Sequence, residues 1–165
     1  NTKAYFLNNS TAGFTSTGYW GNTTPTSTVF TQSIGGTLDV GTTAIGYCFH
    51  SVDGYSKVGS YVGNGNADGP FVYCGFRPKW ILWKNSSAAG NDWDMYDTAR
   101  DPHNVAYKEL LANGTGAESS STTLSLDINS NGFKLRTSNA NGNGNGNTFV
   151  FLAFAETPFK HSNAR

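Results

Sequence analysis

Along most of this chain, short apolar stretches alternate with longer polar ones, and within the stretches side-chain character switches at nearly every step. A period of two is the mark of strands that bury one face. The run 148–155 (TFVFLAFA) is apolar nearly throughout and predicts a buried strand with central neighbours. Runs at 43–52, 57–62, 70–74 and 79–84 are bounded by Gly, Asn and Pro and predict short strands. Residues 93–97 read as the return strand of a hairpin begun by 79–84. The runs 124–129 and 133–137 flank Asn131-Gly132, a pair suited to a type I′ turn because both central residues of that turn need positive φ. Residues 63–69 (GNGNADG) read as a surface turn and 139–147 (NANGNGNGN) as a flexible polar loop. Over 105–111, Ala106, Leu110 and Leu111 give a weak helical face, and an extended reading is equally good. The first forty residues are rich in Ser, Thr and Asn, with apolar islands at 4–7, 19–20 and 28–30. About a dozen short strands at turn spacing predict an all-β fold, a sandwich of two antiparallel sheets. The expected organisation is a single domain over 1–165, less regular over 1–42.

One hairpin stands out. Residues 75–97, GFRPKWILWKNSSAAGNDWDMYD, hold three of the four tryptophans. Trp80 and Trp83 are an odd number of positions apart, so on a regular strand they point to opposite faces. A sandwich strand has one core face, so one of these indoles is either displayed or covered by another layer. Trp80 shares its face with Leu82 and is the better core candidate, which leaves Trp83 and Trp93 for display.

Composition narrows the function. Lys+Arg and Asp+Glu both number 11, the net charge is zero, and only 13% of residues are charged, about half the usual quarter. Such a chain lacks the positive field that phosphate binding needs, which argues against nucleic acid and against a polybasic membrane surface. No apolar run approaches the length of a membrane span. Aromatics make up 14% of residues and glycines number 20, a strand-rich rather than a disordered composition. The chain opens on Asn1, and the expectation is a module of a longer protein. Cys48 and Cys74, the only cysteines, are each placed in a predicted strand. They are either a cross-strand disulfide or two small buried residues; no Cys/His spacing supports zinc.

Several motifs together, VDGYSKVGSYVGNGNADGPFVYCGFRPKWILWK (52–84), WDMYDTARDPHN (93–104), NGFKLRT (131–137) and FVFLAFAETPFK (149–160), resemble the C-terminal domain of unknown function of bacteriophage tail and tail-fibre proteins. The resemblance covers roughly residues 43–165. It implies a concanavalin A-like, jelly-roll β-sandwich, a virion setting and a parent protein that is commonly a homotrimer. It supplies no catalytic residues.

Asp92, Asp94 and Asp97 in DWDMYD are similar in spacing to the acidic strand of laminarinase-like glycanases, where two carboxyls flank the scissile bond. That family uses glutamates, and aspartates do not reach the same positions. Asp92 and Asp94 are also the candidates for calcium, without a complete loop signature; otherwise no cofactor is expected. The plain alternative is a solvated hairpin face, with Asp97 bonded locally to Arg100. Arg77 and Arg100 read as pins for loops. His50, His103 and His161 are scattered, and Ser56 lies in no nucleophile elbow. The remaining reading is a non-catalytic site for a polysaccharide or bacterial surface glycan, in which aromatic rings pack on sugar C–H faces and polar side chains satisfy hydroxyls. Its candidates are Trp20, Trp83, Trp93 and Tyr96, with Asn91, Asp94 and Asn104 as the polar rim, and Tyr55 and Tyr61 as additions. For any one tryptophan, burial in the core competes with display. A structural fibre domain without a ligand is the alternative from another class.

Overall fold

The computed structural model describes residues 3–33, 43 and 45–157. They belong to two compact units, one within Asn1–Phe6 and Gly13–Cys48, the other within Leu7–Ala12 and Phe49–Arg165.

In the first unit, β1 (Lys3–Ala4) pairs antiparallel with β2 (Phe14–Thr15). A single helical turn, α1 (Thr17–Trp20), follows. The side chain of Ser16 accepts from the Gly18 N–H at 3.1 Å and starts the turn, and Gly21 ends it with φ +54°. Phe6, Phe14 and Tyr19 form a ring cluster with centroids 5.1–6.1 Å apart. Among its described residues the rest of this unit has no regular strand or helix.

The second unit is built from antiparallel strands. β3 (Ser56–Val62), β4 (Phe71–Tyr73), β5 (Pro78–Asn85), β6 (Trp93–Asp97), β7 (Leu110–Leu111), β8 (Leu126–Asn129) and β9 (Gly132–Leu135) are followed by the helical turn α2 (Ala140–Asn143) and by β10 (Thr148–Ala155). They form a five-stranded sheet of order β3-β10-β5-β6-β7 and a three-stranded sheet of order β4-β9-β8. The all-β class predicted from the alternation is therefore observed. β10 is paired on both sides, by β3 and β5, which accounts for its unbroken apolar sequence.

Alternation sets the core. Phe149, Phe151 and Ala153 of β10, Ile81 and Trp83 of β5, Tyr96 of β6 and Tyr61 of β3 share one apolar cluster with Val72, Leu126, Ile128, Phe133 and Leu135 of the smaller sheet. Phe133 joins the two sheets: its ring lies 6.1 Å from Trp83, 5.5 Å from Phe151 and 6.1 Å from Tyr61.

Three local expectations are corrected, and the open choice over 105–111 is resolved. The strand over 43–52 does not form. Thr43 and the residues from Ile45 to Ser51 are exposed without regular structure; residue 44 lies outside the described ones. The outer edge of β3 is instead closed by a turn. Ser51 Oγ accepts from the Val58 N–H and donates to the Val58 carbonyl, while Val52 bridges Ser56. The hairpin β8–β9 exists, but Ser130 and Asn131 turn it, with Asn129 opposite Gly132. Neither Asn131 nor Gly132 has positive φ. Gly132 is needed for a different reason, because a Cβ there would collide with the Val72 carbonyl of β4. The loop 139–147 contains α2, with Gly142 and Asn143 buried. Asn143 Nδ2 donates to the carbonyls of Asn66 and Thr137, at 2.8 and 2.7 Å. Residues 105–111 are extended, through the Ala106–Leu126 bridge and β7.

Candidate functional site

The hairpin β5–β6 pairs Trp80 with Asp97, Leu82 with Met95, Trp83 with Asp94 and Lys84 with Trp93. The sequence argument chose the wrong indole for the core. Trp83 is fully buried, stacked on Tyr96 at 4.8 Å, whereas Trp80 is half-buried on the opposite face, 5.9 Å from Phe154. Ile81 and Trp83 on one face match Trp80 and Leu82 on the other in bulk and polarity. The strand itself therefore does not say which pair faces the smaller sheet.

That choice removes much of the expected glycan platform. Tyr96 is sealed beside Trp83, its hydroxyl donating to the Leu124 carbonyl at 3.2 Å and lying 3.4 Å from Glu109 Oε1. Asp94 is buried with no hydrogen-bond partner for either carboxylate oxygen. Loss of hydration pushes its pKa well above the ordinary carboxylate range, and the neighbouring Glu109 and Asp92 push the same way. Asn91 is buried, donating to the carbonyls of Ala88 and Ala89. Asn104 has an exposed position, but both ends of its amide bond the backbone of Ile128. Tyr61 is buried, with its hydroxyl on the Gly142 carbonyl at 2.8 Å. Trp20, in the first unit, is half-buried and donates from Nε1 to the Lys3 carbonyl at 2.9 Å.

Trp93 is the remaining predicted tryptophan. It is half-buried, with Lys84 Nζ 6.0 Å from its ring. Lys84 is buried and donates to the Asn91 carbonyl. Burial lowers its pKa, opposed by the charges of Asp92 and Asp94.

The three aspartates do not act as a set. Asp92 accepts from Asn113 Nδ2 at 2.7 Å, Asp94 faces the core, and Asp97 accepts from Arg100 Nε at 2.6 Å, as the local alternative expected. Among the described residues no group of three or more His, Cys, Asp or Glu side chains converges as a metal site. Arg77 pins a loop as predicted, through Glu156 at 2.7 Å and the Ile128 carbonyl. Cys48 is exposed and Cys74 buried, and both thiols are free, so the disulfide alternative is set aside. Neither lies in a strand.

Open, ring-bearing surface occurs elsewhere in the second unit. A cleft of about 280 Å³ lies between the turn leading into β3 and the end of β4, lined by Ser51, Val52, Asp53, Ser56, Lys57, Tyr73, Cys74 and Gly75. Tyr73 is 63% exposed. The alternation of β4 aims Val72 inward and so turns Phe71 and Tyr73 out. Gly75, with φ +84°, bends the chain away just past the ring. Ser56 Oγ donates to the His50 carbonyl at 2.8 Å and holds the turn in place. Burial pushes the Cys74 thiol up to about 12, against the pull of the Lys57 charge. Tyr73 was not among the tyrosines expected at the site, which were Tyr55, Tyr61 and Tyr96. The usable signal was the outward parity of 71 and 73 around Val72.

A domain of unknown function (DUF7483) matches residues 1–158. The chain belongs to that family. The DUF7483 match spans both compact units. No curated protein and no solved structure gives a match to the chain. Among the described residues no helix is long and apolar enough to cross a membrane.

Proposed function

We propose that this DUF7483 domain is a non-catalytic carbohydrate-binding module, lectin-like in action, that recognises a bacterial surface glycan from a bacteriophage tail or tail fibre. The observation that carries the reading is Tyr73. An exposed phenol ring lines a cleft of mixed polar and apolar character, together with Asp53 and Lys57. Rings of this kind offer an apolar face for sugar C–H groups with a polar tip for hydroxyls. The weakly charged, Asn- and Ser-rich composition agrees with such a partner. The two antiparallel sheets around one core suit a concanavalin A-like jelly-roll sandwich, and the motifs of 52–160 support the virion setting and a trimeric parent. Multivalent display on a virion would raise a weak single-site affinity.

Hydrolysis is the less favoured chemistry. Of the three candidate carboxyls, Asp94 is sealed from solvent, and Asp92 and Asp97 are held by Asn113 and Arg100. A second non-enzymatic reading, an assembly domain without a ligand, draws on the outer face of the five-stranded sheet. Val58 and Val62 are exposed there, beside half-buried Leu82, Met95, Leu152 and Phe154; apolar faces of this kind serve protein contacts. A glycan array with the whole chain tests the choice. Retention of a sugar that Tyr73→Ala abolishes upholds the binding reading. No retained sugar at about millimolar ligand, the weak end of single-site affinity, overturns it in favour of assembly.

A further inference from the structure

The cleft at Tyr73 is small for a ligand site. Its volume of about 280 Å³ lies just below the range of ligand clefts, roughly 300 to 1,000 Å³. It therefore suits one sugar ring rather than a buried oligosaccharide. Its polar groups are unequally committed. Ser51 Oγ is engaged by both the N–H and the carbonyl of Val58, and Ser56 Oγ by the His50 carbonyl. Lys57 differs. Its side chain is half-buried in the cleft wall and makes no hydrogen bond or ion pair among the described residues. Its charge is felt by the Cys74 thiol at the same cleft, so its field acts on the cleft interior.

A half-buried ammonium without a partner gains most from an anion, because a charge-assisted hydrogen bond replaces incomplete hydration. We infer that this cleft selects an acidic sugar residue of the hexuronate kind, with its carboxylate on Lys57 and its ring face on Tyr73. The inference rests on the glycan-binding reading and adds the class of sugar to it.

The test titrates the whole chain with a hexuronate oligosaccharide and with its carboxyl-reduced, neutral counterpart, read by calorimetry and by amide shifts of residues 51–57 and 73–75. A charge-assisted bond is worth about 1.5–3 kcal/mol, so the acidic sugar is expected to bind roughly 10-fold or more tightly. Added salt should narrow that preference in the unmodified protein, which needs no variant. Lys57→Gln should remove the preference, the acidic sugar losing more affinity than the neutral one, and Tyr73→Ala should weaken both sugars. Equal binding of the two sugars, or a preference untouched by Lys57→Gln and by salt, overturns the acidic-sugar assignment and leaves the glycan reading standing. Binding of neither sugar overturns both.

Discussion

Trp83 and Asp94 sit opposite each other across β5 and β6, both fully buried, and neither the indole N–H nor either carboxylate oxygen meets a hydrogen-bond partner. A charged carboxylate in such a place is costly. The environment of Asp94 favours its protonated form. Burial raises its pKa, Glu109 and Asp92 raise it further, and the nearby indole N–H opposes them only weakly. Burial raises the pKa of neighbouring Tyr61 and Tyr96 as well, and Lys84 on the other face of the strand is the nearby cation.

The sign of the resulting pH dependence follows from linkage. Unfolded Asp ionises near about 3.9, whereas folded Asp94 keeps its proton to higher pH. Above that unfolded value the native state binds more protons than the unfolded one, so this residue makes stability fall as pH rises. Asp94→Asn keeps the shape and the neutral form. Chemical denaturation at pH 4 and pH 8 is expected to show near-equal stability of the two proteins at the lower pH and a more stable variant at the higher. A variant equally destabilised at both values would mean that Asp94 is charged in the fold.

Trp83 and Trp93 should differ sharply in what they contribute. Removing a fully buried indole from the middle of the core leaves a large cavity, so Trp83→Ala is expected to cost about 3–5 kcal/mol. Trp93 is half-buried, with the cation of Lys84 6.0 Å from its ring, a contact worth about 0.5–1 kcal/mol at a partly exposed site. Trp93→Ala should therefore leave a cooperative melt only slightly shifted. Acrylamide should quench Trp93 and spare Trp83. Comparable losses from the two variants would contradict the assignment of core and outer faces.

Much of the second unit was legible from periodicity. The β10 run was found with its boundaries, and β3, β5 and β6 within one or two residues, because each carries alternation that a one-sided burial demands. Failures came where local pattern was equally satisfied by two outcomes. Ile81 and Trp83 against Trp80 and Leu82 is a choice between two apolar faces, decided only by Phe133 on the other sheet. The residues around 45–50 have strand character, yet pairing is a property of the partner. The edge they would have joined is closed by Ser51 and Val52. The candidate site was largely hidden for the same reason. Of the tryptophan-centred set, Trp83, Tyr96, Asn91 and Asp94 proved buried, and the exposed ring beside a cleft belongs to Tyr73.

The two thiols should separate by reactivity. Cys48 is exposed, while Cys74 is buried and its pKa is pushed up to about 12, so it offers almost no thiolate at neutral pH. In the native protein without reductant, iodoacetamide is expected to label Cys48 rapidly and Cys74 only on unfolding. Peptide mapping distinguishes the sites. Two unreactive thiols that appear only after reduction would indicate a disulfide instead.

Gly132 offers the most direct test of how the smaller sheet is assembled. It begins β9 opposite Tyr73 of β4 and Asn129 of β8, so strands flank it on both sides. A methyl group at this position would meet the Val72 carbonyl and come within 3.0 Å of the Phe71 ring. The carbonyl is backbone in a paired strand and has little freedom to move. The backbone of Gly132 does not have the positive φ that a type I′ turn would require, so an alanine there is penalised by contact rather than by conformation. Gly132→Ala should accordingly destabilise by about 1–3 kcal/mol, as overpacking does. It should also shift amide resonances along β4, including Tyr73, rather than at the Ser130–Asn131 turn. Truncating the softer neighbour as well, in Gly132→Ala with Phe71→Ala, should recover only a small part of the loss, because the Val72 carbonyl remains. If Gly132→Ala instead melts like the parent and perturbs only the turn, the close approach of β4 to β9 is wrong, and with it the placement of Tyr73 at the cleft.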